Sequence, residues 1–467
     1  MKVMRQRGFQ QWLSQPAATA AISDMTTVVS LPVLVVGAGP AGVAVMSALQ
    51  QAGVVFDGVE GHSRVGGIWD QTNPLSSVYD KMQTNTSRQT THLGTPMPSS
   101  WPDYPSAAQA REYLAEVARR HELDARIKFS TRFETARKSP RGTWLVALRQ
   151  VGDEQPLERE YRAVVFATGV HHKERSVIPE QLANEAATAG LRAIHSSQYR
   201  DAADFAGRRV LIVGIGNSGS DIADMISRTA QRTVLAVRST PWIVPSVVFG
   251  RPSDQLADDT TNWLPYWIQL TSFEFIQWLY VGHPRKLGLG TPEYRLLEKF
   301  AVTDRGFVRA VREGRIVLRS NVTSLRDGMA TFGNPAHQDE PFDDVIFATG
   351  YNRRYPLLDE PSAGRSLADQ LSFLVFHRRE PGLAYLAETI ATRGCWPIFS
   401  EQGKAIAAYY AAEARGGKNV APFNARRALP SPDFKGKIFS KADGFHVDYH
   451  LYTHALAELT DWLGSER

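Results

Sequence analysis

The sequence predicts an α/β protein of two parallel-sheet units, one inserted into the other, and three observations carry that reading. Short continuous apolar runs of the kind found in strands buried on both faces occur at residues 33–36 and 210–213, and glycines follow each at once. Each glycine turn leads into good helix formers and then a second apolar run, the rhythm of a βαβ unit. Lastly, Val165-Phe166-Ala167-Thr168-Gly169 is echoed by Ile346-Phe347-Ala348-Thr349-Gly350, so strand ends of one kind bracket the second unit.

Taken in order, residues 1–30 read as an N-terminal extension. Lys2, Arg5 and Arg7 suggest a leader, but Gln10, Gln11, Ser14 and Gln15 break any apolar core for one, and Met25 is an alternative start. The first βαβ unit has its strand at 33–36, its helix at 41–52 and its second strand at 54–60. Ser106 and Gln109 form a capping-box pattern opening a helix over 106–123, whose Tyr113, Leu114, Val117 and His121 share one face. The second unit repeats the phrase, with strand 209–213, helix 220–230 and strand 233–238. Residues 263–281 are rich in aromatics, but Pro265, Gln269, Ser272, Glu274 and Gln277 spoil a membrane span, so a buried lining is expected, with an interfacial segment as the alternative. Ser400 is expected to cap a helix over 404–414. The domain spans that follow are 31–171 and 331–467 for the outer unit and 172–330 for the inserted one.

Composition limits the function. With 43% hydrophobic and 22% charged residues the chain is an ordinary globular protein rather than a disordered or fibrous one. Its net charge of +5 comes without a basic run, so an anionic small partner accounts for the excess and a nucleic acid is not expected. Cys395 is the only cysteine, which excludes an internal disulfide, a dithiol redox pair and a cysteine-rich metal site. No metal is expected, and a reducing, cytoplasmic setting fits best.

The two glycine turns carry the chemistry. Gly37-Ala38-Gly39-Pro40-Ala41-Gly42 lies between strand and helix, where backbone can approach a pyrophosphate and a helix N-terminus favours its charge. Glu60 follows Gly37 by 23 positions, at the end of the next strand, where a carboxylate accepts both ribose hydroxyls. Gly214-Ile215-Gly216-Asn217-Ser218-Gly219 repeats the pattern, but 24 positions after Gly214 stands Arg238, with Ser239 beside it. An arginine attracts a 2′-phosphate that a carboxylate would repel, so this site favours NADPH over NADH, a solvated surface charge being the plainer alternative. An acid behind one cradle and a base behind the other imply two different dinucleotides, and FAD with NADPH is the natural pair. The fold class is therefore two Rossmann-like dinucleotide-binding domains, the NADPH domain inserted into a discontinuous FAD domain.

With these fingerprints, Gly66-Gly67-Ile68-Trp69, Thr84-Asn85 within residues 79–87, His195-Ser196 followed by Tyr199, and Phe347-Ala348-Thr349-Gly350-Tyr351 make the chain resemble the flavin-containing monooxygenases, class B flavoprotein oxygenases, over nearly all of its length after residue 31. The resemblance implies bound FAD and NADPH as cosubstrate. It makes Gly67, Ile68, Trp69 and Thr84 FAD contacts, and Asn85 the catalytic amide beside the flavin C4a edge, able to donate a hydrogen bond without titrating. It also points the helix after Ser400 toward the flavin, with Gln402 as a contact. A packing tryptophan, a loop-capping asparagine and a solvated glutamine are the bland alternatives. His195 matches the family's histidine signature, although Ala189 and Leu191 replace its phenylalanine and glycine, and a structural role is expected for it.

The resemblance further implies that NADPH reduces FAD, that dioxygen adds to form a C4a-(hydro)peroxyflavin, and that this species oxygenates an amine nitrogen or thioether sulfur of a small organic substrate. Baeyer-Villiger oxidation of ketones is the nearest rival, and Tyr199 argues mildly against it, since those enzymes usually carry tryptophan there. A protein that binds FAD and NADP(H) as a sensor without turnover is the rival of another class. The partners expected are a small-molecule substrate and O2, with no transmembrane segment and with homodimer formation left open.

Overall fold

The computed structural model describes residues 7–16, 30–256, 265–359, 366–386, 389–391, 393–436 and 445–465; Lys2, Arg5, Met25 and Trp263 lie outside these. The chain divides into two compact units. The first comprises Met1–Pro74, Thr86–Gly169 and Arg354–Arg467, and the second Leu75–Asn85 and Val170–Arg353.

In the first unit a seven-stranded sheet runs in the order Leu371–Ser372, Phe376–His377, Leu383–Tyr385, Ala163–Phe166, Val33–Val36, Phe56–Val59, Ile127–Lys128. Its centre is parallel, with Val33 opposite both Phe56 and Ala163, and the antiparallel pairs sit at the Leu371 edge. All four residues of Val33–Val36 and of Ala163–Phe166 are buried, as expected of strands covered on both faces. The Pro40–Gln51 helix packs against the long Cys395–Ala414 helix, and Gly403 permits the contact because a Cβ there would come within 3.0 Å of the Val45 backbone. The expected capping box at Ser106 is present in full and opens the Ala107–Arg120 helix.

The second unit has a five-stranded parallel sheet in the order Ile316–Ser320, Arg232–Val237, Arg209–Val213, Asp344–Phe347, Arg192–His195. One apolar cluster, with Ile212, Ile222, Leu235 and Ile346, gathers around the Asn217–Ile226 and Phe307–Arg312 helices, and another, with Leu211, Val234, Val345 and Phe347, takes in the residues of alternate phase. Each unit also carries an antiparallel three-stranded sheet just before the strand that ends in Ala-Thr-Gly: Thr131–Lys138, Trp144–Gln150 and Leu157–Tyr161 in the first, Val322–Arg326, Met329–Phe332 and Glu340–Pro341 in the second. The two units thus share one plan.

Several sequence expectations are corrected. The chain returns to the first unit at Arg354 rather than near residue 330, because Asp344–Phe347 pairs with Arg209–Val213 inside the second sheet. Leu75–Asn85 also belongs to the second unit. The helix assigned to 404–414 begins at Cys395 with Gly394 as cap, so Ser400 lies inside it. Pro397 does not block this start, since first-turn N–H groups have no helical partner. The helix Tyr266–Tyr280 is not a buried lining: Trp267, Phe275, Trp278 and Leu279 are exposed, and Leu270 and Gln277 turn inward. Part of the N-terminal extension is integral, since Phe9 and Trp12 on the Arg7–Leu13 helix are buried against Phe373, Phe423 and Trp462.

Candidate active site

The two glycine turns have nearly the same geometry. Gly37 has φ +106° and Gly214 φ +109°, a region that L side chains rarely adopt. A Cβ on Gly37 would lie 2.5 Å from the Ala167 carbonyl oxygen, and one on Gly214 would lie 2.5 Å from that of Ala348. The repeated Ala-Thr-Gly phrase is thereby explained: its alanine carbonyl is the surface against which each first glycine turns. The third glycines, Gly42 and Gly219, admit no side chain either, since a Cβ would overlap the carbonyl oxygens of Gly37 and Gly214 respectively. Gly39 and Gly216 are extended N-caps of the following helices, and Pro40 takes the first helical position, where its missing N–H costs nothing. Each turn therefore leaves open backbone at a helix N-terminus, where N–H groups and the helix dipole attract phosphate.

Glu60 stands directly after the Phe56–Val59 strand and is buried. It accepts from the Ala38 N–H at 2.7 Å with one oxygen and from the His62 N–H at 2.8 Å with the other. Burial pushes its carboxyl above the ordinary glutamate range, and these two N–H bonds partly offset that. The carboxylate is thus fixed against the first turn. Gly66, Gly67, Ile68 and Trp69 close on the same turn: the Gly66 N–H donates to the Ala38 carbonyl at 3.0 Å, and a Cβ on Gly67 would approach the Gly39 Cα to 2.9 Å. The one-turn Gly67–Trp69 helix is anchored by Asp70. Burial drives the Asp70 carboxyl up, but hydrogen bonds from Arg64 and Thr72 outweigh it and hold the carboxyl at about 2. Trp69 meets Trp396 edge-on at 5.8 Å. Gln402, on the Cys395–Ala414 helix, is fully enclosed and donates to the Tyr452 hydroxyl at 3.0 Å, so its amide ties two helices together; sequence reading did not foresee that role.

In the second unit Arg238 and Ser239 follow the Arg232–Val237 strand and are exposed, and among the described residues Arg238 is engaged in no ion pair. Asn217 is occupied, its Oδ1 accepting from the Thr303 N–H at 2.9 Å and fixing the Val302–Asp304 strand beside the turn. Ser218 is half-buried on the same helix. His195 is buried, and both ring nitrogens are used. Nδ1 accepts from the Ser197 N–H at 3.1 Å, which fixes the tautomer, so Nε2 carries the proton and donates to the Gly350 carbonyl at 3.0 Å. The histidine signature and the Ala-Thr-Gly phrase are thereby joined, and burial lowers the imidazole pKa. Tyr199 is a core residue, packed edge-on against Tyr79 at 5.5 Å.

Thr84 and Asn85 lie in the second unit, Thr84 buried and Asn85 exposed. A residue that no motif announced organises them. Arg305 donates to Asn85 Oδ1 at 3.2 Å, to the Thr84 carbonyl at 2.6 Å and to Asp221 Oδ2 at 3.1 Å, and the Tyr79 hydroxyl donates to the same Asp221 oxygen at 3.3 Å. The only trace in sequence is Gly306, whose φ of +144° marks the turn that carries Arg305.

Residues 31–377 match the family described as flavin-binding monooxygenase-like. The chain belongs to that family. This flavin monooxygenase is 30% identical to indole-3-pyruvate monooxygenase YUCCA6 of Arabidopsis thaliana over 338 residues, 70% of this chain and 78% of that one. It is 28% identical to human flavin-containing monooxygenase 5 over 345 residues, covering 70% of this chain and 63% of that one. Among solved structures its fold is similar to a cyclohexanone monooxygenase bound to ε-caprolactone, with TM-score 0.68, 15% identity, and 93% and 99% of the two chains covered. It is also similar to the S-allyl-L-cysteine S-oxygenase of Allium sativum, with TM-score 0.58, 18% identity, and 93% and 88% covered. The flavin monooxygenase uses FAD and NADPH, and the glycine turns, Glu60 and the helix N-termini fit two such dinucleotides. Among the described residues no helix is long and apolar enough to cross a membrane.

Proposed function

We propose that this flavin monooxygenase inserts one oxygen atom of O2 into a soft nucleophile, an amine nitrogen or a thioether sulfur, of a small organic substrate. FAD, when bound, supplies the hydride acceptance and oxygen activation that no side chain carries. The chain's own residues bind and orient. The turn at Gly37, Gly39, Pro40, Ala41 and Gly42, with Glu60 on the ribose and Gly67, Ile68 and Trp69 packed over the turn, would hold FAD. Gly214, Gly216, Ser218 and Gly219 would take the NADPH pyrophosphate, with Arg238 and Ser239 on the 2′-phosphate.

The observation that carries the reading is Asn85. Its acceptor oxygen is already engaged by Arg305, so the group it offers is an uncharged N–H donor. A neutral donor with no pKa in the working range hydrogen-bonds a reacting oxygen without acting as a base toward it, so that oxygen's own proton is not withdrawn by the side chain, which suits attack by a lone pair on nitrogen or sulfur.

The test is a side-by-side incubation of the FAD-loaded protein with NADPH, O2 and matched tertiary amines, thioethers and cyclic ketones. N-oxides or sulfoxides formed in step with NADPH consumption are expected. Lactones from the ketones alone would replace this reading with Baeyer-Villiger oxidation.

A further inference from the structure

We infer that Arg305 is the positioning residue for Asn85: it engages the amide's oxygen within the second unit and leaves both amide N–H bonds available as donors. The inference rests on the proposed role of Asn85 as a neutral donor to the reacting oxygen.

The chemistry of the contact decides the amide's orientation. A guanidinium has donors only, so the atom that Arg305 meets at 3.2 Å has to be Oδ1, and Nδ2 is turned the other way. Asn85 Nδ2 has no partner among the described residues. The clamp is forked. Nη2 holds the Thr84 carbonyl at 2.6 Å, and Nη1 shares its two hydrogens between Asn85 and Asp221, so backbone and side chain of adjacent residues are gripped together.

The charge of the clamp is cancelled where it is made. The Arg305 and Asp221 side chains are only 14% and 11% exposed, and the Tyr79 hydroxyl gives the carboxylate a second donor. Arg305 thus delivers orientation to Asn85 rather than a free positive charge. Nor is its side chain needed for its own turn, because Asp304 Oδ1 already accepts from the N–H groups of Gly306 at 3.2 Å and Val308 at 3.0 Å. Without the clamp the amide can rotate by half a turn and present Oδ1, an acceptor that repels an oxygen lone pair.

The test compares FAD-loaded full-length protein with Arg305→Lys, Asn85→Ala and the double variant. The readouts are FAD content, melting temperature, the visible spectrum of the bound oxidised flavin, and the rate of NADPH-dependent hydrogen peroxide release without organic substrate. Lysine keeps the charge opposite Asp221 and loses the fork. Arg305→Lys is expected to retain FAD and melting temperature, to shift the flavin spectrum as Asn85→Ala does, and to raise peroxide release about tenfold. The double variant is expected to be no worse than Asn85→Ala, since both remove one contact. Peroxide release by Arg305→Lys at the parent rate, with Asn85→Ala impaired, overturns the positioning role, as do two effects that multiply. An Asn85→Ala protein unchanged in spectrum and peroxide release overturns the reading of Asn85 itself. Should Arg305→Lys lose its fold, Arg305→Met combined with Asp221→Asn removes both charges at once and is read against the same outcomes.

Discussion

Arg238 and His195 both stand at strand ends of the second sheet, yet their surroundings differ. Arg238 is exposed, and its guanidinium has no ion-pair partner among the described residues. Arg238→Ala is expected to raise the KM for NADPH by roughly tenfold to a hundredfold, the worth of a charged hydrogen-bond pair, and to leave the KM for NADH nearly unchanged. Steady-state kinetics with both nucleotides checks this, and an equal loss with both would remove Arg238 from the 2′-phosphate. His195, by contrast, is fully committed between the Ser197 N–H and the Gly350 carbonyl. Burial depresses its pKa, so the folded state prefers the neutral ring; the stability it contributes is complete above the ordinary histidine range and is lost as pH falls through that range. His195→Gln is therefore expected to flatten the decline of melting temperature on acidification while leaving the identity of the product unchanged. An altered product would give the imidazole a chemical role. At this scale sequence was informative wherever spacing encodes geometry. Glu60 lies where a fixed strand and helix length must bring it, whereas Arg305 stands 220 residues from Asn85 and becomes its neighbour only through the fold.

Helices and strands were legible in proportion to how local their determinants are. The capping box at Ser106 and the parallel strands around the glycine turns follow from nearest neighbours in sequence. The start of the Cys395–Ala414 helix was missed because Ser400 reads as its N-cap, whereas Gly394 caps it and proline is tolerated in the first turn. The aromatic helix Tyr266–Tyr280 was misread because it is apolar on more than one face, so its composition did not say which face is buried. The Arg7–Leu13 helix gave no signal, being short and rich in glutamine, and only long-range contacts reveal it. Trp12 is 1% exposed and packs against Phe373 and Phe423, so Trp12→Ala is expected to cost about 3–5 kcal/mol. Urea unfolding of the full chain measures this; an unchanged midpoint would mean that the helix does not dock.

Across the whole molecule, two βαβ phrases and a repeated Ala-Thr-Gly were enough to predict one sheet unit inserted into another. The segment boundaries needed the structure. Strand Asp344–Phe347 reads like the return of the outer unit but completes the inner sheet, just as Ala163–Phe166 completes the outer one. Leu75–Asn85 carries the candidate catalytic amide from the first chain segment into the second unit, a crossing with no compositional mark. This shared plan gives each unit its own glycine turn and places Asn85 in the unit whose turn is read as the NADPH site. The most direct test is to reduce the FAD-loaded protein with NADPH under anaerobic conditions, mix it with oxygenated buffer in a stopped-flow spectrometer, and record full flavin spectra. The account predicts a third spectrum, distinct from reduced and oxidised flavin, that persists until an amine or thioether discharges it. A single-step return to oxidised flavin, with peroxide released whether or not those compounds are present, would contradict it.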